Sequence, residues 1–287
     1  MAARRHVTPP RPLRRRARPW AILALAAAGG LVMLIPFAFL VGTAFTPFAY
    51  VLEIPPQLIP SHPTLDNFAA ALGANNFGQY FLNSAIVSVS STAITVVLAA
   101  SLAFAFARYE FPGRSVLFGA LLISMIVPGL VLLIPQFVLA KNLHLLNSLL
   151  GLVVVYSVMN LGLNVFLLRG FFESMPQDLF DAASVDGAGV WRTFRSIALP
   201  LAGPGIAAVT IFSFLGAWDE FTWAITSLSD QSLYTLPVAI RLFQRANGTE
   251  WGIVFAASLV ALLPEIAVFV GLQRYFVSGA FVGATKG

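Results

Sequence analysis

The sequence contains no cysteine and few charged residues, and both absences narrow what the chain can be. Of its 287 residues, 10% are charged and 58% are hydrophobic, whereas a water-soluble domain carries about 25% charged residues. The lack of cysteine excludes a disulfide framework, a thiolate metal site and a cysteine nucleophile. The composition therefore indicates a bilayer protein, whose length is better counted in membrane spans than in soluble domains.

Motifs for nucleotide, zinc and serine chemistry are also missing. The two lysines, Lys141 and Lys286, follow Ala140 and Thr285, so neither completes the Gly-x-x-x-x-Gly-Lys-Ser/Thr loop that holds phosphates. No histidine begins a His-Glu-x-x-His helix, and no Gly-x-Ser-x-Gly elbow occurs. We therefore predict no catalytic residue, no metal ligand and no cofactor site in this chain.

Six stretches of the sequence are long and apolar enough to cross a bilayer as helices. At a rise of 1.5 Å per residue, about 20 residues cross the ~30 Å hydrocarbon core. A proline-punctuated loop separates the first two stretches. The sequence therefore predicts an all-α membrane protein with six transmembrane helices, at residues 20–42, 84–107, 115–139, 148–169, 203–227 and 252–275.

Lysine and arginine are retained on the cytoplasmic side of a membrane, so they predict the orientation of these helices. With the amino terminus inside, fourteen of the 17 basic residues fall on cytoplasmic segments and three fall outside. Seven lie in the first nineteen residues, so the basic pI reflects topology and predicts no nucleic-acid partner. The chain divides into an Arg/Pro-rich tail at 1–19, a transmembrane domain at 20–276 and a tail at 277–287, both tails being cytoplasmic.

The largest predicted cytoplasmic segment contains a short helix and a glycine turn. Pro176 suits the first position of a helix, and Asp178 in the opening turn meets the positive end of the helix dipole. Gly187 is the residue best able to adopt the left-handed conformation that ends a helix. The sequence therefore predicts a helix that begins at Pro176 and stops at Gly187.

A second short helix should follow in the same segment. It is predicted from about Val190 and should end before Pro200, because proline cannot continue the backbone hydrogen bonds. Two helices joined by a glycine turn form a compact projection rather than a linker. We call residues 176–200 the knob; with residues 172–175 they make up the predicted cytoplasmic loop at 172–200.

The knob also carries a motif. From Asp181 to Pro204 it reads DAASVDGAGVWRTFRSIALPLAGP, which resembles the signature of membrane subunits of ABC importers. Asp181 stands where that family commonly has Glu. The likeness covers nearly everything after residue 20 and favours the carbohydrate-uptake branch, especially its maltose-transporter-type second permease subunit. Other similar stretches are Asn83-Ser84, Ala107 to Arg114, Pro128, Pro135, Trp218 to Phe221, Leu236-Pro237-Val238, Gln273 to Phe276 and Gly283 to Gly287.

This resemblance implies a type I ABC importer permease fold and a transporter made of several proteins. The implied partners are a second permease subunit, two ATPase subunits that bind ATP and Mg, and an extracytoplasmic solute-binding protein. The solute would be a sugar or sugar derivative, and the loop from 176 to 200 would dock in a cleft of the ATPase. The predicted ATPase-coupling residues are Leu179, Phe180, Asp181, Ala182, Ala183, Asp186, Gly187 and Ala188.

Ionisable groups inside the predicted spans are costly in hydrocarbon and are therefore functional candidates. Asp219 and Glu220, beside Trp218 in span five, would line a solute pathway or gate, or would be solvated at the helix mouth. Glu265 follows Pro264 near the middle of span six. A pathway contact, pairing with a partner subunit and a satisfied proline kink all account for it.

Span four carries a stripe of polar side chains. Tyr156, Asn160 and Asn164 are spaced at i, i+4 and i+8, which places them on one helical face. Interhelical hydrogen bonds account for such a stripe, and so does a sugar-compatible pathway. Together with Trp218, Asp219, Glu220 and Glu265, these three are the predicted pathway residues.

Two other classes of protein compete with the importer subunit. A proton- or ion-coupled secondary transporter would use Asp219, Glu220 and Glu265 to carry its ion, but it leaves the knob without a role. An intramembrane enzyme lacks an identifiable nucleophile or metal set. The sequence therefore favours a permease that catalyses no covalent chemistry.

The predicted topology can be tested by labelling single introduced cysteines, because the native chain has none. An impermeant thiol reagent applied to intact cells should reach cysteines placed near Pro60 and Gly248, which the charge distribution puts outside. It should not reach a cysteine at position 187. Labelling of position 187 from outside would contradict the orientation.

Overall fold

The computed structural model describes residues 19–47, 58–73, 76–244 and 249–284, with side chains between Trp20 and Tyr275. Within these ranges every regular element is a helix. Most of the predicted amino-terminal tail, and the last three residues of the predicted carboxyl-terminal tail, lie outside the described residues. The helices are α1 (Pro19–Ala44), α2 (Asp66–Gly73), α3 (Phe77–Arg108), α4 (Arg114–Ser124), α5 (Gly129–Asn142), α6 (Leu149–Met159), α7 (Leu161–Glu173), α8 (Gln177–Val185), α9 (Val190–Thr193), α10 (Leu199–Leu201), α11 (Gly203–Trp218), α12 (Thr222–Ser227), α13 (Leu236–Leu242) and α14 (Trp251–Ala284).

Three helices of the described chain are each long and apolar enough to cross a membrane: α1, α3 and α14. Three further pairs meet the same criterion only when the two helices of each pair are taken together. Counting each bent pair as one span gives up to six spans. The pairs are α4 with α5, bent by 107°, α6 with α7, bent by 46°, and Val190–Leu201 with α11, bent by 79°.

The predicted span at 115–139 is not one helix. α4 ends at Ser124, and α5 begins at Gly129 after Pro128, whose backbone is extended with ψ of 130°. Proline lacks a backbone N–H and disfavours helical geometry in the residue before it. The chain therefore turns sharply between two helices at this point.

The predicted span at 203–227 is wrong at its carboxyl end. α11 stops at Trp218, and α12 is a separate short helix. The Glu220 side chain accepts hydrogen bonds from the backbone N–H groups of Trp223 and Ala224, at 2.8 and 3.0 Å. Because these are donors that the start of a helix leaves unpaired, the carboxylate favours a new helix over continuation of the old one.

α3 is the central helix, and it packs against α6, α7 and α11. The Thr95 hydroxyl lies 2.8 Å from the Ser91 carbonyl on α3 and 3.0 Å from the Ser157 carbonyl on α6. Small side chains let neighbouring helices approach closely, and those on α3 allow this contact. Buried small residues on α3 are Ser84, Ser88, Ser91, Thr92, Thr95, Ala99, Ala100 and Ala103.

Asn67 on α2 joins the end of α1 to the start of α14. Its amide nitrogen donates to the Ala44 and Thr46 carbonyls, both at 2.9 Å. These carbonyls lie at the end of a helix, where no intrahelical donor remains for them. A Cβ on Gly252 of α14 would come within 2.5 Å of the same amide nitrogen. The Asn67 amide can therefore occupy this position because Gly252 has no side chain.

Gly252→Ala is accordingly expected to destabilise the folded chain by about 1–3 kcal/mol, because the new methyl group displaces the Asn67 amide from its carbonyl partners. Gly271→Ala is the matched control, since it lies on the same helix with nothing within 4 Å of an added Cβ. The measurement is the thermal midpoint of the detergent-solubilised protein. Equal midpoints for the two variants would contradict the role of Gly252.

Candidate functional site

The first helix of the knob starts one residue later than the sequence predicts. α8 begins at Gln177, and Pro176 is its N-cap, with ψ of 133°. Asp178 occupies the first turn, where a negative charge is favourable. The Gln177 amide donates to the Asp181 carboxylate at 3.0 Å, which adds a side-chain bond one turn along.

The helix ends in a Schellman motif at Gly187. The N–H of Ala188 donates to the Ala183 carbonyl at 2.9 Å, and the N–H of Gly187 donates to the Ser184 carbonyl at 3.1 Å. Gly187 has φ of +72°, a left-handed conformation that is costly for residues with a Cβ. The glycine turn predicted from the sequence is confirmed.

The second part of the knob runs further than predicted. Val190–Thr193 is α-helical, Phe194–Ala198 is a π-helical turn, and Leu199–Leu201 continues in α-helical form. The expectation that this helix ends before Pro200 is wrong. The proline ring crowds the carbonyl four residues earlier, at Ser196, and that carbonyl lies inside the wider π-turn.

An aromatic cluster attaches the knob to the long helices. Phe104 of α3 lies at its centre, with ring centroids 5.5 Å from Phe172, 6.4 Å from Phe180 and 5.1 Å from Phe194. Phe172 ends α7, whereas Phe180 and Phe194 belong to the knob. Aromatic pairs at this spacing add about 0.5–1.5 kcal/mol each beyond the area they bury. The knob is therefore packed onto α3 and α7.

This packing buries two of the predicted coupling residues. Phe180 is 8% exposed and Ala183 is 5% exposed, so both side chains face the interior of the chain and are not available as docking contacts. The Leu179 side chain, by contrast, is 41% exposed. Asp181, Ala182, Asp186 and Gly187 are also exposed, and Ala188 is half-buried.

Three exposed apolar residues of the knob were not predicted from the sequence as functional candidates. Val185 is 88% exposed, Val190 is 58% exposed and Trp191 is 68% exposed. With Leu179 they are the large apolar side chains that the knob exposes. The signal that could have found them is the Val-Trp pair directly after the glycine turn.

The Glu220 carboxylate accepts hydrogen bonds from three neighbouring groups. Besides the two backbone N–H groups of α12, its carboxylate accepts the Tyr156 hydroxyl at 2.6 Å. One side chain therefore caps a helix and ties α12 to α6. Tyr156 and Glu220, both predicted pathway residues, are therefore hydrogen-bonded to each other.

The predicted polar stripe on span four is interrupted at its middle residue. Asn160 breaks the helix between α6 and α7, with φ of −113° and ψ of 19°. It lies against Gly216 of α11, where an added Cβ would come within 3.3 Å of its amide nitrogen. Asn164 is 1% exposed, and its amide nitrogen donates to the Ser213 hydroxyl of α11 at 3.0 Å. The interhelical explanation therefore accounts for Asn164.

Asp219 and Glu265, which lie far apart in the sequence, come together between α11 and α14. Their carboxyl groups lie close enough to interact. Both line a cavity of about 400 Å³ that also includes Trp218, Arg241 and Gln244. Carboxylates and nitrogen donors around one cavity can bind a polyhydroxylated solute, because each hydroxyl needs both donors and acceptors. The Trp218 ring itself is 2% exposed.

Two stretches of the family resemblance also meet in space. The Asn83 amide donates to the carbonyls of Ser232 and Tyr234 at 2.9 and 3.0 Å, and the Ser84 hydroxyl accepts the N–H of Leu236 at 2.7 Å. Asp230 stabilises the same loop, since the N–H and hydroxyl of Ser232 lower the pKa of its carboxyl group. The loop before α13 is thus held by the start of α3.

A family profile described as the binding-protein-dependent transport system inner membrane component matches residues 96–281. That match includes the whole knob. Among curated proteins, the diacetylchitobiose uptake system permease protein NgcG of Streptomyces coelicolor is 35% identical over 92% of this chain and 87% of its own length. The trehalose transport system permease protein SugB of Mycobacterium tuberculosis is 34% identical over 95% of this chain and 99% of its own length.

Solved structures agree in fold. A crystal structure of a bacterial ABC transporter involved in the import of the acidic polysaccharide alginate superposes with a TM-score of 0.79 and 21% identity. The match covers 94% of this chain and all of that chain. The resemblance drawn from the knob motif is therefore confirmed. The chain is a multi-pass membrane permease of an ABC importer and belongs to the family of binding-protein-dependent transport system inner membrane components.

Proposed function

We propose that this chain is one of two permease subunits in an ATP-driven importer of a sugar or sugar derivative. The relatives named above take up diacetylchitobiose and trehalose by their descriptions. The family description supports an extracytoplasmic binding protein as the donor of solute. The partners are that protein, a second permease and two ATPase subunits that bind ATP and Mg.

The proposed topology has six spans and both termini in the cytoplasm. The bent pairs α4 with α5 and α6 with α7 then each count as one span, which is consistent with their combined length and hydropathy, and α11 is the fifth span, preceded by Val190–Leu201 outside the membrane. The charge distribution supports the orientation, since the knob carries Arg192 and Arg195 and adjoins Arg108, Arg114 and Arg169. On this topology the knob lies on the cytoplasmic side.

The exposed apolar surface of the knob is the observation that carries the coupling proposal. Leu179, Val185, Val190 and Trp191 expose apolar area on a segment that is itself firmly packed onto α3 and α7. Such a surface is suited to burial against another protein. ATP-driven closure of the ATPase pair would move the docked knob, and the bundle would shift between inward-open and outward-open packings.

The cavity lined by Asp219 and Glu265 is the proposed solute contact of this subunit. Its carboxyl groups, Arg241 and Gln244 supply the acceptors and donors that a sugar needs. Trp218, which is 2% exposed and stacked on Phe214, supports the wall of this cavity. Tyr156, Asn160, Asn164 and Glu220 are proposed to support the pathway by joining α6, α7, α11 and α12. The solute pathway would run between this subunit and the second permease.

The same carboxyl pair favours one alternative, an ion-coupled secondary transporter. Paired carboxyl groups in an apolar setting are typical of proton and cation pathways. Solute uptake into vesicles with a hydrolysis-deficient ATPase subunit separates the two functions. Uptake that persists without ATP hydrolysis would support the alternative and contradict the importer proposal.

Replacing Gly187 by Val should weaken association with the ATPase, because a β-branched residue at φ of +72° carries a strain of about 1–3 kcal/mol and reshapes the turn. The variant should still insert into the membrane, since the turn lies outside the spans. Co-purification with the ATPase and hydrolysis stimulated by loaded binding protein are the measurements. Gly189→Val is the matched control, because Gly189 is also exposed but has φ of −67°. If Gly187→Val matches the wild type in ATPase co-purification and in stimulated hydrolysis, the knob is not the coupling element.

Asp219→Asn and Glu265→Gln should each weaken solute transport while leaving assembly intact. Loss of a hydrogen bond to a charged group costs about 1.5–3 kcal/mol, which corresponds to a roughly 10- to 100-fold rise in apparent KM. Concentration-dependent uptake by the reconstituted transporter measures this effect. Asp230→Asn is the control, since that carboxylate contacts only its own loop among the contacts described. An unchanged KM in both cavity variants would exclude the cavity as a solute contact.

A further inference from the structure

Arg108, the last residue of α3, contacts two other elements at once. Its guanidinium donates to the carbonyl of Phe172, in the last turn of α7, and to that of Met175, two residues after this helix, with the second bond at 2.8 Å. It also donates to the Gln177 side chain of α8 at 2.9 Å. The guanidinium carbon lies 4.0 Å from the centroid of the Phe180 ring, also on α8.

We propose that Arg108 is the positioning residue that transmits movement of the knob to α3 and α7. This inference rests on the proposed coupling function and adds the element through which the knob acts on the bundle. Besides its chain connections to α7 and α11, the knob meets α3 through side-chain packing and, among the described contacts, through this guanidinium. Packing resists compression but permits sliding, whereas hydrogen bonds of fixed direction also resist sliding.

The geometry requires arginine rather than another cation. A planar guanidinium offers five N–H donors in a fixed fork and can lie flat on an aromatic ring at the same time. Lysine has a single rotating ammonium group, which cannot meet the α7 carbonyls, the Gln177 oxygen and the Phe180 face together. The α7 carbonyls also lie at the negative end of a helix, where a cation is favoured.

The path from Arg108 continues into the transmembrane bundle. α3 packs along α7, α11 and α6, and its Thr95 hydroxyl lies 3.0 Å from the Ser157 carbonyl of α6. A displacement of α8 that carries Arg108 with it would therefore move α3 relative to the helices that border the pathway. Without this guanidinium the knob could dock normally and still move the bundle less.

The test uses the complete transporter, with both permeases, the ATPase pair and the solute-loaded binding protein, reconstituted in vesicles. Arg108→Met keeps the length and apolar character of the stem and removes the four contacts. We expect co-purification with the ATPase and basal hydrolysis within about twofold of wild type, and solute transported per ATP hydrolysed reduced about tenfold. Arg108→Lys should transport an amount of solute per ATP hydrolysed that lies between those of the wild type and Arg108→Met.

Arg114→Met is the matched control, because Arg114 follows the same helix but donates to the Phe106 carbonyl and makes no described contact with α8. It should couple transport to hydrolysis as wild type does. Wild-type coupling in Arg108→Met, or an equal loss in Arg114→Met, would overturn the inference. A wild-type transporter that shows no ATP-driven uptake would instead overturn the proposed function.

A variant that removes the Arg108 hydrogen bond to α8, and with it the bond from Gln177 to Asp181, covers the case in which Arg108→Met fails to insert. Gln177 is exposed, so Gln177→Ala leaves the core unchanged. It should lower transport per ATP severalfold with normal assembly. Combining it with Arg108→Lys should add little, since residues that share one interaction are not additive. Full additivity, or no effect of Gln177→Ala, would overturn the inference.

Discussion

Polar groups in an apolar surrounding must find their partners within the protein, and this constraint organises the bundle. Asn164 reaches Ser213 across α7 and α11, and Tyr156 reaches Glu220 across α6 and α12. Each such bond joins two helices that close packing alone would hold in several nearly equivalent registers. The hydrogen bonds therefore select one register, while the small residues of α3 allow the helices to come near enough to form them.

The same constraint explains why helix ends carry so much of the side-chain chemistry. The Ala44 carbonyl at the end of α1 is satisfied by Asn67, and the Phe172 carbonyl near the end of α7 is satisfied by Arg108. The first N–H groups of α12 are satisfied by Glu220. These residues are polar because the backbone groups that they serve would otherwise be left unpaired at a break in the chain.

Much of the fold could be predicted from the sequence, because long apolar runs, proline and the knob motif each have a direct structural meaning. The glycine turn at Gly187 follows from the conformational freedom of glycine alone. The inward direction of Phe180 could not be predicted, since an aromatic residue on a short surface helix packs equally well against a partner. Its direction depends on Phe104, which lies 76 positions earlier in the chain. The contact between Asp219 and Glu265 likewise depends on how α11 crosses α14, which no local pattern specifies.

The π-helical turn at Phe194–Ala198 has a consequence for how the knob evolves. A π-turn accommodates one more residue than an α-helical turn, and one residue corresponds to a rotation of about 100° around a helix axis. Deleting a single residue there would restore ordinary helical bonding, yet it would rotate α8 and α9 relative to α11 by more than a quarter turn. A length change in this stretch therefore cannot be absorbed as in a surface loop. Single-residue insertions and deletions should be far rarer here than at the loop between α1 and α2.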